Sequence, residues 1–201
     1  MRSRKRNPRG EGARLGEEIL DAAVRLIDSG GAERVTLRGV AREAGISAPS
    51  IYDHFADREQ ILWAVKLRFL GQLEDHIRLA IDQHTDPVAR LIAGCDAYVS
   101  FSDRWPGRYA YMFGYERTSD AGAPNGPPAP DGDPFETLVE GITDCVNAGA
   151  SASLDPRADA TAVWSALHGY AGLHSAIPGF PWPAREEMLE RIVRGLARIT
   201  G

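Results

Sequence analysis

Apolar residues recur at helical spacing along nearly the whole of this 201-residue sequence. Near the N-terminus, for example, Leu15, Ile19, Ala23 and Ile27 lie four residues apart, which places them on one face of a helix. No run of alternating Val, Ile, Thr or Tyr indicates a half-buried strand. The sequence therefore predicts an all-α fold.

Caps, glycines and prolines divide this pattern into nine predicted helices. Residues 1–57 are expected to form a small N-terminal domain with a basic arm, and residues 58–201 a larger helical domain. The Pro- and Gly-rich residues 118–134 predict a loop, and residues 178–183 a stiff connector. The predicted helices cover approximately residues 13–28, 36–44, 48–54, 58–84, 87–103, 105–115, 134–148, 156–176 and 184–199.

Two of the predicted helices are short and are joined by a tight turn. Thr36 is expected to cap the first, Gly45 to supply a positive φ in the turn, and Ser47 to cap the second. Asp57 is expected to cap the long helix that follows. Two short helices around a glycine turn form a helix-turn-helix, whose second helix fits the major groove of DNA.

This segment resembles the DNA-binding signature of the TetR family of bacterial repressors. The resemblance lies within the 27 residues Thr36–Leu62, in the sequence TLRGVAREAGISAPSIYDHFADREQIL. The matching residues are Thr36, Val40, Ala41, Ala44, Gly45, Ile46, Ser47, Ile51, Tyr52, His54, Phe55, Arg58, Glu59, Ile61 and Leu62.

The resemblance implies which side chains contact duplex DNA. Hydroxyl, imidazole and cationic groups are expected to bind phosphates, and Ala48 and Pro49 to offer apolar contact. Asp53 departs from the family pattern, and its carboxylate is expected either to accept from cytosine N4 or to pair with a neighbouring Arg. For His54 the alternative is a packed spacer. The candidate DNA-binding residues are Thr36, Arg38, Ser47, Ala48, Pro49, Ser50, Tyr52, Asp53, His54 and Arg58.

A second resemblance lies in the C-terminal half. Trp164, His168 and Gly169 match the Trp-x-x-x-His-Gly signature of one subgroup of the family, and residues 111–114 are similar to it as well. The family implies an effector pocket in this half and a dimer formed by the last two helices. In the last helix, Met188, Leu189, Ile192, Val193, Leu196 and Ile199 share one face.

Large amphipathic side chains on successive helices are the candidate pocket residues, since ligand sites are mostly apolar with few polar anchors. The alternative for each of them is a place in the ordinary hydrophobic core. The candidates are Trp63, Tyr98, Phe101, Trp105, Tyr111, Phe113, Trp164 and His168.

Charge and cysteine usage restrict the function further. The net charge is −5, but the first 68 residues carry 13 Lys and Arg against 10 Asp and Glu, and the remainder is acidic. This distribution suits an N-terminal part that binds DNA, attached to a body that does not. The two cysteines, Cys95 and Cys145, form no CxxC or Cys/His cluster and are expected to be buried free thiols. Neither a metal nor a cofactor is expected. No segment approaches the ~20 apolar residues of a membrane span, and the protein is expected in the cytoplasm.

These observations predict a homodimeric repressor that binds a palindromic operator in double-stranded DNA and is released by a small-molecule effector. One alternative is an activator or an effector-independent regulator. A different class is an all-α enzyme that uses His168 and Cys95, although hydrolase, phosphate-loop and zinc-protease motifs are all absent from the sequence.

Overall fold

The computed structural model describes residues 11–113 and 132–200, with the side chains of residues 11–13 left out. The basic arm and most of the predicted loop at 118–134 lie outside these ranges. The described residues contain no strand, and Ser151 and Ile199 form a single isolated bridge. The helices are α1 (Glu11–Gly30), α2 (Leu37–Ala44), α3 (Ala48–Ile51), α4 (Arg58–Ile81), α5 (Pro87–Arg104), α6 (Pro106–Phe113), α7 (Pro134–Asn147), α8 (Pro156–Ala176) and α9 (Arg185–Leu196), with a 3-10 turn at Ala32–Arg34.

The predicted all-α class is confirmed, and most predicted helices are found within a few residues of their expected bounds. Two differ more. The third helix ends at Ile51 rather than at His54, because residues 52–54 continue only as turns. The last helix begins at Arg185 and ends at Leu196 rather than near residue 199, because residues 197 and 198 continue only as turns. No described helix is long and apolar enough to cross a bilayer.

The described residues form two compact units. The N-terminal unit contains residues 11–68 and 110–113, and the C-terminal unit contains residues 69–109 and 132–200. The predicted domain boundary at residues 57 and 58 stays a prediction.

The core of the N-terminal unit is made by the apolar faces of its helices. Ile19, Ala23 and Ile27 of the stripe predicted on α1 are buried, α1 packs against α2, and Ile51 is the single fully buried residue of α3. Ion pairs reinforce the packing at the surface: Arg68 of α4 binds Glu17 and Asp21 of α1, and Arg25 of α1 binds Glu43 of α2. Such exposed pairs each add about 0–1 kcal/mol. The fully buried side chains are Ile19, Ala22, Ala23, Val35, Val40, Ile51, Ile61 and Val65.

The C-terminal unit packs α5 against α7, α8 and α9, and α8 against α7 and α9. Three helices of this unit, α5, α7 and α8, begin with a side-chain cap. Asp86, Asp133 and Asp155 each accept a hydrogen bond from a backbone N–H in the first turn, and each is followed by a Pro. The fully buried large side chains of this unit are Phe69, Leu73, Phe101, Ile142, Leu167 and Leu189.

Candidate nucleic-acid interface and candidate ligand site

The turn between α2 and α3 has the geometry that the sequence predicts. Thr36 Oγ1 accepts from the Gly39 amide at 2.9 Å, so Thr36 caps α2. Gly45 adopts φ 70° and ψ 27°, a left-handed conformation that glycine reaches without steric cost. Asp57 caps α4 by accepting from the Gln60 amide at 2.8 Å. The helix-turn-helix is therefore built by local hydrogen bonds at its three junctions.

Ser47 differs from its predicted role. It occupies the N-cap position of α3, but its hydroxyl lies 2.7 Å from the Ser50 hydroxyl and makes no cap hydrogen bond. In a helix of four residues that begins with Ala48 and Pro49, the Pro49 nitrogen has no hydrogen to be capped. The expected Ser47 cap is thus wrong, and the two hydroxyls form a small polar pair on the helix surface instead.

The outward side of α3 and of the turn after it faces solvent in this chain. Ser47, Pro49, Tyr52 and Asp53 are exposed, and Tyr52 leaves 59% of its surface accessible. Ile51, on the opposite side, is fully buried. An exposed tyrosine beside two hydroxyls offers the donors that bind phosphate oxygens and base edges.

Two further candidates, His54 and Arg58, are held by the protein itself. The ring of His54 is half-buried, and its Nδ1 lies 3.6 Å from where a Cβ on Gly16 of α1 would be, which agrees with the packed-spacer alternative. The guanidinium of Arg58 donates to the main-chain carbonyls of Val35 and Ala32. Direct DNA contacts by these two residues stay predictions.

One exposed cation was missed by the sequence analysis. Arg42 lies four residues after Arg38 on α2, so both guanidinium groups are exposed on the same side of that helix. The spacing of four residues is the signal that indicates Arg42. Together with Arg38, it gives α2 a positive surface suited to phosphate contact.

In the C-terminal unit, three of the candidate ligand-binding residues meet in one polar cluster, together with Tyr109. The Tyr109 hydroxyl lies 2.7 Å from His168 Nδ1 and 3.0 Å from the Tyr98 hydroxyl, and the Trp164 indole donates to Tyr98 at 3.3 Å. Tyr98 is also 3.2 Å from His168 Nδ1. Tyr109 was missed, although Tyr111 and Phe113 of the same helix α6 were candidates, because sequence spacing does not show which side of a helix meets its neighbours.

Burial keeps this polar cluster uncharged. It lowers the pKa of His168 and raises the pKa values of Tyr98 and Tyr109. A neutral His168 with its proton assigned to Nε2 accepts from Tyr109, while Tyr109 accepts from Tyr98. The cluster is therefore a set of neutral donors and acceptors that hydrogen-bond to one another.

The other candidate ligand-binding residues lie elsewhere. Phe101 and Trp105 pack on each other at 4.8 Å between ring centroids and surround the ring of His76, which bonds the Ser100 hydroxyl at 3.0 Å. Trp63, Tyr111 and Phe113 belong to the N-terminal unit, where the Tyr111 hydroxyl donates to the Leu62 carbonyl. The eight candidates thus do not line one common ligand pocket.

The two half-buried imidazoles of the C-terminal unit, His76 and His168, make stability depend on pH. Burial lowers the pKa of His168, and burial together with Arg104 lowers that of His76. The unfolded chain then binds protons more readily than the folded one just below pH 6.5, so stability falls as the pH drops through this window. Denaturant unfolding at about pH 7.5 and about pH 5.5 measures the loss. His76→Gln and His168→Gln should each reduce it, and an unchanged loss in the double variant would contradict the assignment.

Comparison with known proteins decides the family. Residues 19–65 match the family described as bacterial regulatory proteins, tetR family, and residues 91–196 match the tetracyclin repressor-like C-terminal domain. The second match alone covers more than half of the chain. The chain belongs to the TetR family. It is accordingly a DNA-binding transcriptional regulator with a helix-turn-helix and a C-terminal helical domain. The family consists of regulators, not enzymes.

Individual relatives of this TetR-family chain are distant. The HTH-type transcriptional regulator HbdR of Aromatoleum sp. is 34% identical over 43% of this chain and 38% of its own length. Across the curated relatives that we compared, the matched region spans 38% to 57% of the relative's length. The Trp-x-x-x-His-Gly subgroup stays a prediction.

Solved structures share the fold over nearly the full length. A Rhodococcus sp. RHA1 protein of unknown function has a TM-score of 0.74 at 22% identity and covers 98% of both chains. The transcriptional regulator FadR of Bacillus subtilis, solved in complex with stearoyl-CoA, has a TM-score of 0.69 at 18% identity and covers 89% of this chain and 98% of its own. At these identities the likeness establishes the fold alone.

The thiols of this TetR-family chain fit a structural role. Cys95 and Cys145 are both buried, and burial raises their pKa values to about 12 and about 11. A protonated thiol is a poor nucleophile, so Cys95 is unsuited to the enzymatic role considered from the sequence. Among the described residues, no group of His, Cys, Asp and Glu side chains is arranged to hold a metal ion.

Proposed function

We propose that this regulator is a cytoplasmic homodimeric repressor that binds a palindromic operator and leaves it when a small molecule binds the C-terminal unit. The observation that carries the DNA-binding part is the exposed side of α3, where Ser47, Pro49 and Tyr52 face solvent beside the cations of α2. Repression follows if the operator overlaps a promoter and the bound dimer excludes RNA polymerase.

The exposed face of α8 supports the homodimer. Its central stripe consists of small uncharged residues that recur every three or four positions, so it runs along one side for the length of the helix. A Cβ added at Gly169 or Gly172 would meet nothing within 4 Å in the same chain. Leu173, four residues after Gly169 on α8, lies on the same side and is 51% exposed, and Leu196 of α9 is 37% exposed. The stripe contains Ala158, Ala162, Ser165, Gly169, Gly172 and Ala176.

A second copy of this chain fits such a face, because two small-residue stripes let helix backbones approach closely and bury the flanking leucines. Two-fold symmetry would then present two α3 helices to DNA, and half-sites about 34–36 Å apart are expected for adjacent turns. This symmetry is the reason for proposing a palindromic operator.

The polar cluster of Tyr98, Tyr109, Trp164 and His168 supports an effector site in the C-terminal unit. It combines four neutral hydrogen-bonding groups with aromatic surface, the composition expected of an anchor for a small molecule. FadR of Bacillus subtilis, which shares this fold, was solved in complex with stearoyl-CoA, and that complex supports ligand binding by this type of fold. An effector shifts DNA affinity only as far as it prefers one conformation.

Selection of bound genomic fragments tests the repressor proposal. Fragments that share a palindrome overlapping a promoter support it, whereas sites upstream of promoters would favour an activator. A small molecule that raises the Tm and weakens operator binding supports the effector site. His168→Ala should reduce both effects of that molecule, and retention of both would place the ligand elsewhere.

Tyr52→Ala is expected to weaken operator binding by roughly tenfold or more, since it removes an exposed ring and a hydroxyl from the proposed contact surface. Fluorescence anisotropy with the selected operator measures the change. Leu79→Ala, which truncates an exposed side chain of the C-terminal unit, is the matched control and should bind normally. Equal affinity of the Tyr52 variant and the wild type would remove Tyr52 from the interface.

A further inference from the structure

Arg58, the first residue of α4, is bound to the main chain before α2. Its Nε donates to the Val35 carbonyl at 2.6 Å, and a terminal nitrogen donates to the Ala32 carbonyl at 3.0 Å. We propose that Arg58 is a positioning residue for DNA binding, which holds the helix-turn-helix in place through its hydrogen bonds to main-chain carbonyls rather than by contacting phosphate. The inference rests on DNA binding, which is the activity of the family, and it does not depend on whether the protein binds an effector.

The two carbonyls lie directly before the helix-turn-helix. Ala32 opens the 3-10 turn, and Val35, whose side chain is fully buried, precedes the Thr36 cap of α2. A guanidinium that bridges these carbonyls therefore connects the start of α4 to the start of α2. Any rotation of α2 relative to α4 would break one or both hydrogen bonds.

The segment held by Arg58 has little room to shift. A Cβ on Gly39, in the first turn of α2, would lie 2.9 Å from Thr36 Oγ1 and 3.0 Å from the Arg34 carbonyl. Contacts this close mean that the backbone before α2 packs tightly on its first turn. A displacement at Val35 is consequently passed on to α2, and through the turn at Gly45 to α3.

The position of Arg58 on its helix also favours this role. A cation in the first turn of a helix is opposed by the helix dipole, so the placement is unfavourable unless other interactions compensate. The planar fork of arginine can donate to two carbonyls at once, which a lysine ammonium on its flexible stem does not reproduce. The exposed Arg25–Glu43 pair, which joins α1 to α2, is a weaker restraint because solvent screens it.

Arg58→Lys and Arg58→Gln test the proposal with the operator duplex recovered by genomic selection and a scrambled duplex of equal length and composition. Both variants are expected to bind the operator about tenfold more weakly and the scrambled duplex as the wild type does, because charge-dependent binding needs no defined helix orientation. The slope of log K against log salt concentration should stay at the wild-type value in both.

A phosphate contact would give a different result. Arg58→Lys would then bind almost as the wild type, and Arg58→Gln would lower the magnitude of the salt slope by about 1.8, since a dimer loses two contacts of about 0.9 each. Equal loss of operator and scrambled binding would indicate general damage to the unit and would also overturn the proposal. Arg38→Gln, which removes an exposed cation from α2, is the control expected to reduce the slope. Failure to recover any operator would count against operator binding itself, not against Arg58.

Discussion

Gly169→Arg is expected to convert the protein into monomers and to weaken operator binding by about a hundredfold or more. A monomer reads one half-site, and losing the second, linked site typically costs 10²–10⁴ in affinity. The substituted side chain meets open space in its own chain, so the monomer should accommodate it. Replacing a helical glycine also favours the helix by up to about 1 kcal/mol. Loss of the dimer should therefore occur without loss of the fold.

Sedimentation velocity measures the first effect, and anisotropy with the selected operator measures the second. Gly169→Ala is the matched control, because one methyl group still permits close approach of two helices. Asn147→Arg places the same charge at an exposed position of α7 and should leave the dimer intact. A Gly169→Arg variant that sediments as a dimer would exclude the α8 face as the dimer interface.

Leu189→Ala is expected to lower stability by about 2–5 kcal/mol, because truncating a buried leucine loses transfer free energy and leaves a cavity. Leu189 is only 2% exposed and packs inside its own chain. For a chain of this size the change corresponds to a fall in Tm of roughly 10 °C. Thermal unfolding at a fixed protein concentration measures it, since dimerisation makes Tm depend on concentration.

Leu196→Ala is the matched control for Leu189→Ala, since Leu196 lies on the same helix but is 37% exposed. It should change Tm far less and affect chiefly the dimer. Equal losses of Tm in the two variants would contradict the division of α9 into a buried side and an exposed side.

The behaviour of α9 shows where sequence reasoning reached its limit. The resemblance to the family implied a dimer formed by the last two helices, to which the apolar face of α9 was expected to contribute. Leu189 and Val193 of that face are buried within their own chain, which corrects that expectation. Met188 and Ile192 are only half-buried, and Leu196 is exposed. The helical spacing of apolar residues shows that one face of a helix is apolar. It does not report whether that face packs within one chain or against a second.

Features that depend on neighbouring residues could be predicted from the sequence: the helical class, the Thr36 and Asp57 caps, and the left-handed Gly45 turn. These follow because caps, turns and helical period are set by steric and hydrogen-bonding preferences within a few residues. Two contacts could be found only from the packed helices: Tyr109 joins Tyr98 and His168, and Arg58 is held by carbonyls more than twenty residues earlier in the chain. Such contacts join residues from separate helices, and their geometry is fixed by how those helices pack.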